Sequence, residues 1–181
     1  MRRCLVVAIS LSCVLGRADA QESPNASAAA IAKLTHLVGE WRGRASVRTG
    51  PGLPVEAAQR EVVALAAGGT VLTIAGRGTV IEPGAERVVH DAFATIWWDA
   101  EASRYRMRAH LANGQAVEAD PVLRGDTLIW GFQHPQAGHI RYTIVRTPEG
   151  DWHEIGERSA DGVSNWMQFI DMRLTKAAVA P

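Results

Sequence analysis

The stretch 88–110, VVHDAFATIWWDAEASRYRMRAH, decides how the rest of the chain can be arranged. Two long runs rich in β-branched and aromatic residues lie on either side of the short polar segment 101–103. Such runs with a turn between them are typical of a β-hairpin. We therefore expect two antiparallel strands here, with successive side chains on opposite faces.

Similar strand-like runs recur on both sides of this hairpin, separated by Gly, Pro and Asn turns. The predicted strands outside the hairpin are 40–49, 55–66, 70–80, 115–122, 127–133, 139–147, 152–159 and 165–176. Because no helical stretch separates them, parallel crossover connections are excluded. A long antiparallel meander removes its exposed edges by closing on itself. The sequence therefore predicts an all-β protein, an antiparallel up-and-down β-barrel of about ten strands.

One helix is predicted before the first strand. Ser27 or Asn25 can cap it, and Ile31 and Leu34 begin an apolar stripe at helical spacing. Gly39 ends the pattern. We expect this N-terminal helix to cap one end of a single barrel domain, 27–176, which is followed by a tail, 177–181.

The first twenty residues have the pattern of a secretory signal peptide. A basic start is followed by the apolar run 5–15 and by Ala18-Asp19-Ala20, a small-residue cleavage site. The apolar run is too short to span a bilayer. We expect cleavage after Ala20, a tether over 21–26, and a periplasmic or secreted protein. Lipidation at Cys13 is the alternative to a soluble product.

The amino-acid composition limits the kinds of partner and reactive group that the chain can have. The chain has 181 residues, a formal charge of zero and 21% charged residues, so no basic field indicates nucleic acid as a partner. Both cysteines, Cys4 and Cys13, lie within the predicted signal. The mature chain therefore has no disulfide and no thiolate. No metal site, cofactor or membrane span is predicted, and a homodimer is left open.

The segment 37–43, LVGEWRG, resembles the opening motif of lipocalin-like (calycin) barrels, with Gly-x-Trp at the first strand. The longer set HDAFATIWWDA, YRMRAHLANG, LIWGF and WHEIGERSADGVSNWMQF resembles a family of secreted bacterial lipocalin-like proteins of unknown function. This likeness covers nearly all of 34–174. It implies a barrel of the ten-strand type and no particular activity.

The same opening is more distantly similar to nitrobindin-type barrels, which hold haem through a histidine near the C-terminal end. This sequence departs from that pattern, because no histidine follows His153. The resemblance therefore implies the barrel fold and does not extend to the histidine that binds haem.

Hairpin turns allow the inward face to be predicted, because they fix which residues pair. We expect Trp97 beside Tyr105 and Trp130 beside Tyr142. Burial of aromatic surface is favoured by roughly 25 cal/mol per Å², whereas burial of unpaired arginines is costly. On this basis we expect the large aromatic side chains to face inward, namely Phe93, Trp97, Tyr105, Trp130, Phe132 and Tyr142. The same face carries Met107, Leu111, Leu128, Ile140 and Ile144, and the polar Asp91, Thr95, Glu118 and Asp120. His90, Arg106, Arg108, His110, Gln133, His139, Arg141 and Thr143 form the outward set.

Three functions fit this arrangement. The leading hypothesis is binding of a small, largely apolar ligand in the barrel interior. The predicted ligand-binding residues are Phe93, Trp97, Tyr105, Met107, Glu118, Trp130, Phe132, Tyr142 and Glu154. An isomerase, cyclase or hydrolase could instead use Glu118, Asp120 or Glu154 as general base. A filled barrel could act as an envelope interaction module, packing a partner against outward-facing Ala92, Ala94 and Ala119.

No catalytic residue is assigned. His90 and Asp91 resemble half of a catalytic triad, but neighbours on a strand point to opposite faces and do not readily bond each other, which favours a strand-end pair. Arg106, Arg108, His110 and Arg141 would clamp an anion inside the barrel only if the register were shifted by one residue.

Overall fold

The structure, a computed structural model, describes residues 25–48 and 50–178. The predicted signal peptide, 1–20, and most of the predicted tether, 21–26, lie outside the described residues. One α-helix, α1 (Ala26–Ala32), precedes eleven described strands. They are β1 (Gly39–Val47), β2 (Val55–Ala66), β3 (Val71–Glu82), β4 (Ala85–Asp99), β5 (Arg104–Leu111), β6 (Ala116–Ala119), β7 (Val122–Arg124), β8 (Thr127–His134), β9 (Gly138–Arg146), β10 (Trp152–Ser159) and β11 (Met167–Lys176).

The strands form one antiparallel sheet in the order β6-β5-β4-β3-β2-β1-β11-β10-β9-β8-β7. Each strand except β6 pairs with the one that follows it in the chain, and β11 returns to pair with β1. That order is an up-and-down meander curled into a barrel, as the sequence predicts. The predicted strand boundaries and tight turns agree closely with the observed ones.

The barrel seam is bridged by one extended segment. β6 pairs with β5, whereas β7 pairs with β8, and only Asp120 and Pro121 lie between the two short strands. The segment therefore changes hydrogen-bonding partner at Pro121, which has no backbone N–H to donate to a ladder. Counted as one strand, it makes the architecture ten-stranded.

Helix α1 closes one end of the barrel. The side chain of Asn25 caps it by accepting a hydrogen bond from the Ser27 backbone N–H at 2.9 Å. Ile31 is fully buried against the barrel core. The Tyr105 hydroxyl donates to the Ala30 carbonyl at 2.7 Å, which ties the helix to β5. Apolar packing and this buried hydrogen bond together hold the cap in place.

The core is concentrated at the helix end. Trp41, Leu72, Ile96, Leu128 and Leu174 are buried there. The Trp41 and Trp152 rings meet edge to face, with centroids 5.8 Å apart. Among the described residues, 25–48 and 50–178, no helix closes the other end of the barrel, and the cavity described below lies on that side.

Candidate functional site

A cavity of about 550 Å³ occupies the barrel on the side away from α1. Its walls are mainly small and aliphatic side chains on the inner face of the sheet. They include Ala45, Ala57, Ile74, Ala94, Met107 and Ile144. The barrel is therefore not filled, which corrects the solid-barrel alternative. Ala92, Ala94 and Ala119 face inward, so they are not an outer surface for close packing.

Two polar side chains from β2 project into this apolar cavity. Gln59 is 6% exposed and Glu61 is 5% exposed, and Gln59 Nε2 donates to Glu61 Oε1 at 2.7 Å. They pair with Gly78 and Gly76 of β3. A Cβ at Gly76 would lie 2.7 Å from both Glu61 carboxyl oxygens, so the glycine makes room for the carboxyl group.

A second buried carboxyl reaches the cavity from β10. Glu154 is 9% exposed, and its Oε2 accepts a hydrogen bond from Trp152 Nε1 at 3.1 Å. Burial raises the pKa of Glu61 to about 7. Burial, together with the negative charge of Glu61, raises the pKa of Glu154 to about 8. Near neutral pH the pair therefore holds at least one proton.

An aromatic wall stands beside the carboxyl pair. The Trp130 and Tyr142 rings are stacked, with centroids 4.3 Å apart and planes inclined by 16°. Phe132 continues the stack, 6.2 Å from Trp130. Gly156 pairs with Tyr142, and a Cβ there would lie 3.0 Å from the ring, so the glycine accommodates it. Burial and the nearby charge of Glu154 raise the pKa of the Tyr142 phenol, which keeps it a neutral hydroxyl.

Arg87 and His90 bring basic groups to the cavity, on the part of β4 farthest from α1. Arg87 Nε is paired with Glu82 at 2.7 Å. His90 is solvent-exposed, and the partial desolvation that it undergoes lowers its pKa, while the charge of Asp91 acts in the opposite direction. His90 was predicted to face outward. It lies on the same face of β4 as Ala92 and Ala94, which line the cavity, because successive residues of a strand alternate between faces.

Five of the predicted ligand-binding residues line the cavity: Met107, Trp130, Phe132, Tyr142 and Glu154. Their role in binding stays a prediction. Tyr105 faces inward but lies beneath α1, where its hydroxyl is bonded to Ala30. It therefore belongs to the closed end and not to the cavity wall.

The predicted face of β4 was wrong by one residue. Trp98, not Trp97, pairs with Tyr105, and Phe93 lies opposite His110. Phe93 is 46% exposed, and neither Phe93 nor Trp97 lines the cavity. Asp91 and Thr95 share their outward face. The turn between β4 and β5 contains four residues, with Ser103 at a positive φ of 50°, and this shifts the register.

Glu118 and Asp120 were also predicted to face inward, and both are exposed. Glu118 pairs with Arg108 in the β5–β6 ladder and its carboxylate lies 3.2 Å from that guanidinium. Asp120 lies 3.0 Å from both Arg104 and Arg106. The outward arginines therefore have carboxylate partners, and the cluster considered as an anion clamp, Arg106, Arg108, His110 and Arg141, does not line the cavity. Of the three predicted general bases, Glu154 lies in the interior, whereas Glu118 and Asp120 do not.

Sequence reasoning missed Gln59 and Glu61. Along β2, Ala57 and Val63 are buried on the face that points inward, and Gln59 and Glu61 occupy the same face. The sequence does contain a signal for this arrangement. Two polar residues interrupt an otherwise apolar face, and the Gly68-Gly69 turn places them opposite Gly76 and Gly78. Such a combination indicates a polar group for which the neighbouring strand leaves space.

Neither a family model nor a curated protein matches the chain. Among solved structures, Rv2717c from M. tuberculosis is similar, with a TM-score of 0.57 and 13% identity. That match covers 86% of this chain and 99% of the other. A DUF3598-family protein of unknown function from Nostoc punctiforme also matches, with a TM-score of 0.23, 6% identity, and coverage of 81% and 98%. The similarity to Rv2717c supports the barrel fold alone.

Two further observations concern membrane-spanning helices and metal ligands. Over residues 25–48 and 50–178, no helix has the length and hydrophobicity that a membrane span requires. Within the same residues, no three His, Cys, Asp or Glu side chains gather as metal ligands.

Proposed function

We propose that the protein binds a small, largely apolar molecule inside the barrel, as lipocalin-like proteins do. The observation that carries this proposal is the cavity of about 550 Å³ with predominantly apolar walls. Its size falls within the range of roughly 300–1,000 Å³ typical of small-molecule sites. In the predicted periplasmic or extracellular location, such a container would carry or sequester a poorly soluble compound.

The aromatic wall and the small residues would contribute to ligand binding in different ways. Trp130 and Tyr142 offer flat, rigid surfaces to an apolar ligand. Ala45, Ala57 and Ala94 leave the volume empty, because larger side chains at these inward positions would occupy it. Small residues facing a stacked aromatic wall favour a bound ligand over a self-filled core.

Replacing Ala109 by phenylalanine tests this function. Ala109 lines the cavity from β5, so the added ring would occupy ligand volume. Wild-type protein is expected to bind the uncharged fluorescent probe N-phenyl-1-naphthylamine, with increased probe emission. The Ala109→Phe variant is expected to bind it at least about ten-fold more weakly, a loss of about 1.4 kcal/mol.

Ala75→Phe is the matched control, since Ala75 is exposed on the outer face of β3. It adds the same ring outside the barrel and should leave probe affinity unchanged. Circular dichroism of both variants checks that they are folded. Equal probe binding by wild type and a folded Ala109→Phe variant would place the probe elsewhere and contradict the proposal.

A further inference from the structure

The cavity holds a pair of carboxyl groups that its own side chains do not fully satisfy. Glu61 Oε1 accepts from Gln59, and Glu154 Oε2 accepts from Trp152. In the part of the chain that the structure describes, no hydrogen bond reaches Glu61 Oε2 or Glu154 Oε1. Both side chains are more than nine-tenths buried. Each therefore has one acceptor oxygen available to whatever enters the cavity.

The pair also lacks a cation. Within residues 25–48 and 50–178, the basic side chains that line the cavity are Arg87 and His90, at the end away from α1. Arg87 is engaged by Glu82. Lys176 lies over the Trp41 ring, 5.2 Å from its centroid, and is exposed. A buried carboxylate without a positive partner is costly, so the site favours either a bound proton or a bound cation.

The surroundings of the pair suit an amphiphilic molecule. Glu61, Glu154 and the aromatic wall line the same cavity, and Glu154 lies on β10 two residues from Gly156, the partner of Tyr142 on β9. The face of an aromatic ring attracts cations, and its area buries hydrocarbon. One end of the ligand would thus meet acceptor oxygens, while the rest would meet Trp130, Phe132 and aliphatic walls.

We propose that the cavity takes amphiphilic amines, seating the ammonium group between Glu61 and Glu154 and the apolar body against Trp130 and Tyr142. This inference rests on the proposed ligand-binding function and names its ligand class. An ammonium group has three N–H donors, enough for both free carboxyl oxygens. An anionic ligand such as a fatty acid is disfavoured, because its carboxylate would face two acidic groups without a cation.

Isothermal titration calorimetry with three naphthalene compounds tests the inference. Naphthalen-1-ylmethanamine, naphthalen-1-ylmethanol and 1-naphthoate share an aromatic body and differ in the polar group. At about pH 8 the amine is expected to bind at least about ten-fold more tightly than the alcohol, because a charge-assisted hydrogen bond is roughly twice as strong as one between neutral groups. The naphthoate should bind most weakly.

A double variant, Glu61→Gln and Glu154→Gln, isolates the carboxyl pair. It should lose most of the amine affinity and retain the alcohol affinity within about three-fold, which also shows that its cavity is intact. Glu118→Gln, on the outer face, is the matched control and should behave as wild type. Thermal unfolding confirms that each variant is folded.

The outcomes separate the two proposals. Alcohol binding without amine preference would overturn the amine inference and leave the ligand-binding function standing. Amine preference that persists in the double Gln variant would also overturn it, because the ammonium would then bind elsewhere. Absence of binding by all three compounds would overturn both.

Discussion

Replacing Gly43 by alanine is expected to lower the free energy of unfolding by about 3 kcal/mol, the upper range for overpacking. Gly43 lies in β1 and pairs with Leu174 of β11. A Cβ at this position would collide with the backbone carbonyl of Arg173 and would lie 2.9 Å from the Leu174 Cα. Backbone atoms cannot rotate aside as a flexible side chain can, so the two strands would have to separate. Urea unfolding monitored by tryptophan fluorescence measures the loss.

Gly50→Ala is the control for this substitution. Gly50 has no heavy atom within 4 Å of the position of an added Cβ. Alanine there should leave stability unchanged or raise it by up to about 1 kcal/mol, through reduced entropy of the unfolded chain. If Gly43→Ala unfolds at the same urea concentration as wild type, the close approach of β1 and β11 is not present in solution.

Raising the pH from about 5 to about 8 is expected to destabilise the protein by on the order of 6 kcal/mol. The pKa values of Glu61 and Glu154 in the folded protein, about 7 and about 8, exceed the ordinary glutamate value of 4.5. The folded state therefore holds more protons than the unfolded state in this window. The corresponding stability is fully present below about pH 4.5 and is lost as the pH rises through the folded-state pKa values.

Carboxylates near the surface give stability the opposite pH dependence, because they destabilise the protein as the pH falls. Hydrogen bonds from Arg60 and Arg42 lower the pKa of Glu40 to about 2. Hydrogen bonds from Ser164, Val163 and Ser159 lower that of Asp161. These two carboxylates stabilise the folded protein at pH values above the ordinary pKa of a carboxyl group, and this stabilisation is lost as the pH falls through their lowered pKa values. The stability maximum is therefore expected between about pH 4.5 and pH 6.

The variant Glu154→Gln tests the assignment of the alkaline loss. Glutamine keeps an acceptor for Trp152 Nε1 and removes the titrating group. Melting temperatures at about pH 5 and pH 8 should differ less in this variant than in wild type. Glu118→Gln, whose parent carboxylate is exposed, should keep the wild-type difference. A wild-type melting temperature that is the same at both pH values would show that the buried carboxyls do not titrate in this range.

The barrel could be predicted from the sequence because its signals are local. Gly68-Gly69, Asn113-Gly114 and Arg124-Gly125-Asp126 mark tight turns, and the structure places hairpins or short connections at each of them. Alternation of apolar and polar residues in β1, with Trp41 and Ala45 buried, likewise predicts a half-buried strand. Local chemistry of this kind fixes the element and its direction.

The inward face of β4 could not be predicted in the same way, because both faces of this strand are apolar. Phe93 and Trp97 carry more surface than Ala92 and Ala94, so area burial favours turning the aromatics inward. The structure does the reverse, with the alanines inside. A protein that keeps a cavity must place small residues there, and surface exposure of large apolar residues is common.

The carboxyl pair illustrates a second limit, since Glu61 and Glu154 are 93 residues apart in the chain, the difference between their residue numbers. Glu154 was predicted as an interior residue from its own strand pattern. Glu61 lines the same cavity as Glu154 only because β11 returns to pair with β1. Nonlocal closure of this kind brings together side chains that no local pattern associates.

The most direct test of the central claim, that the barrel interior is a ligand site, is a crystal structure with naphthalen-1-ylmethanamine at saturation. The naphthyl ring is expected inside the cavity against Trp130 and Tyr142, with its nitrogen about 3 Å from the carboxyl oxygens of Glu61 and Glu154. A ligand bound only on the outer surface, or a barrel filled by its own side chains, would contradict the account.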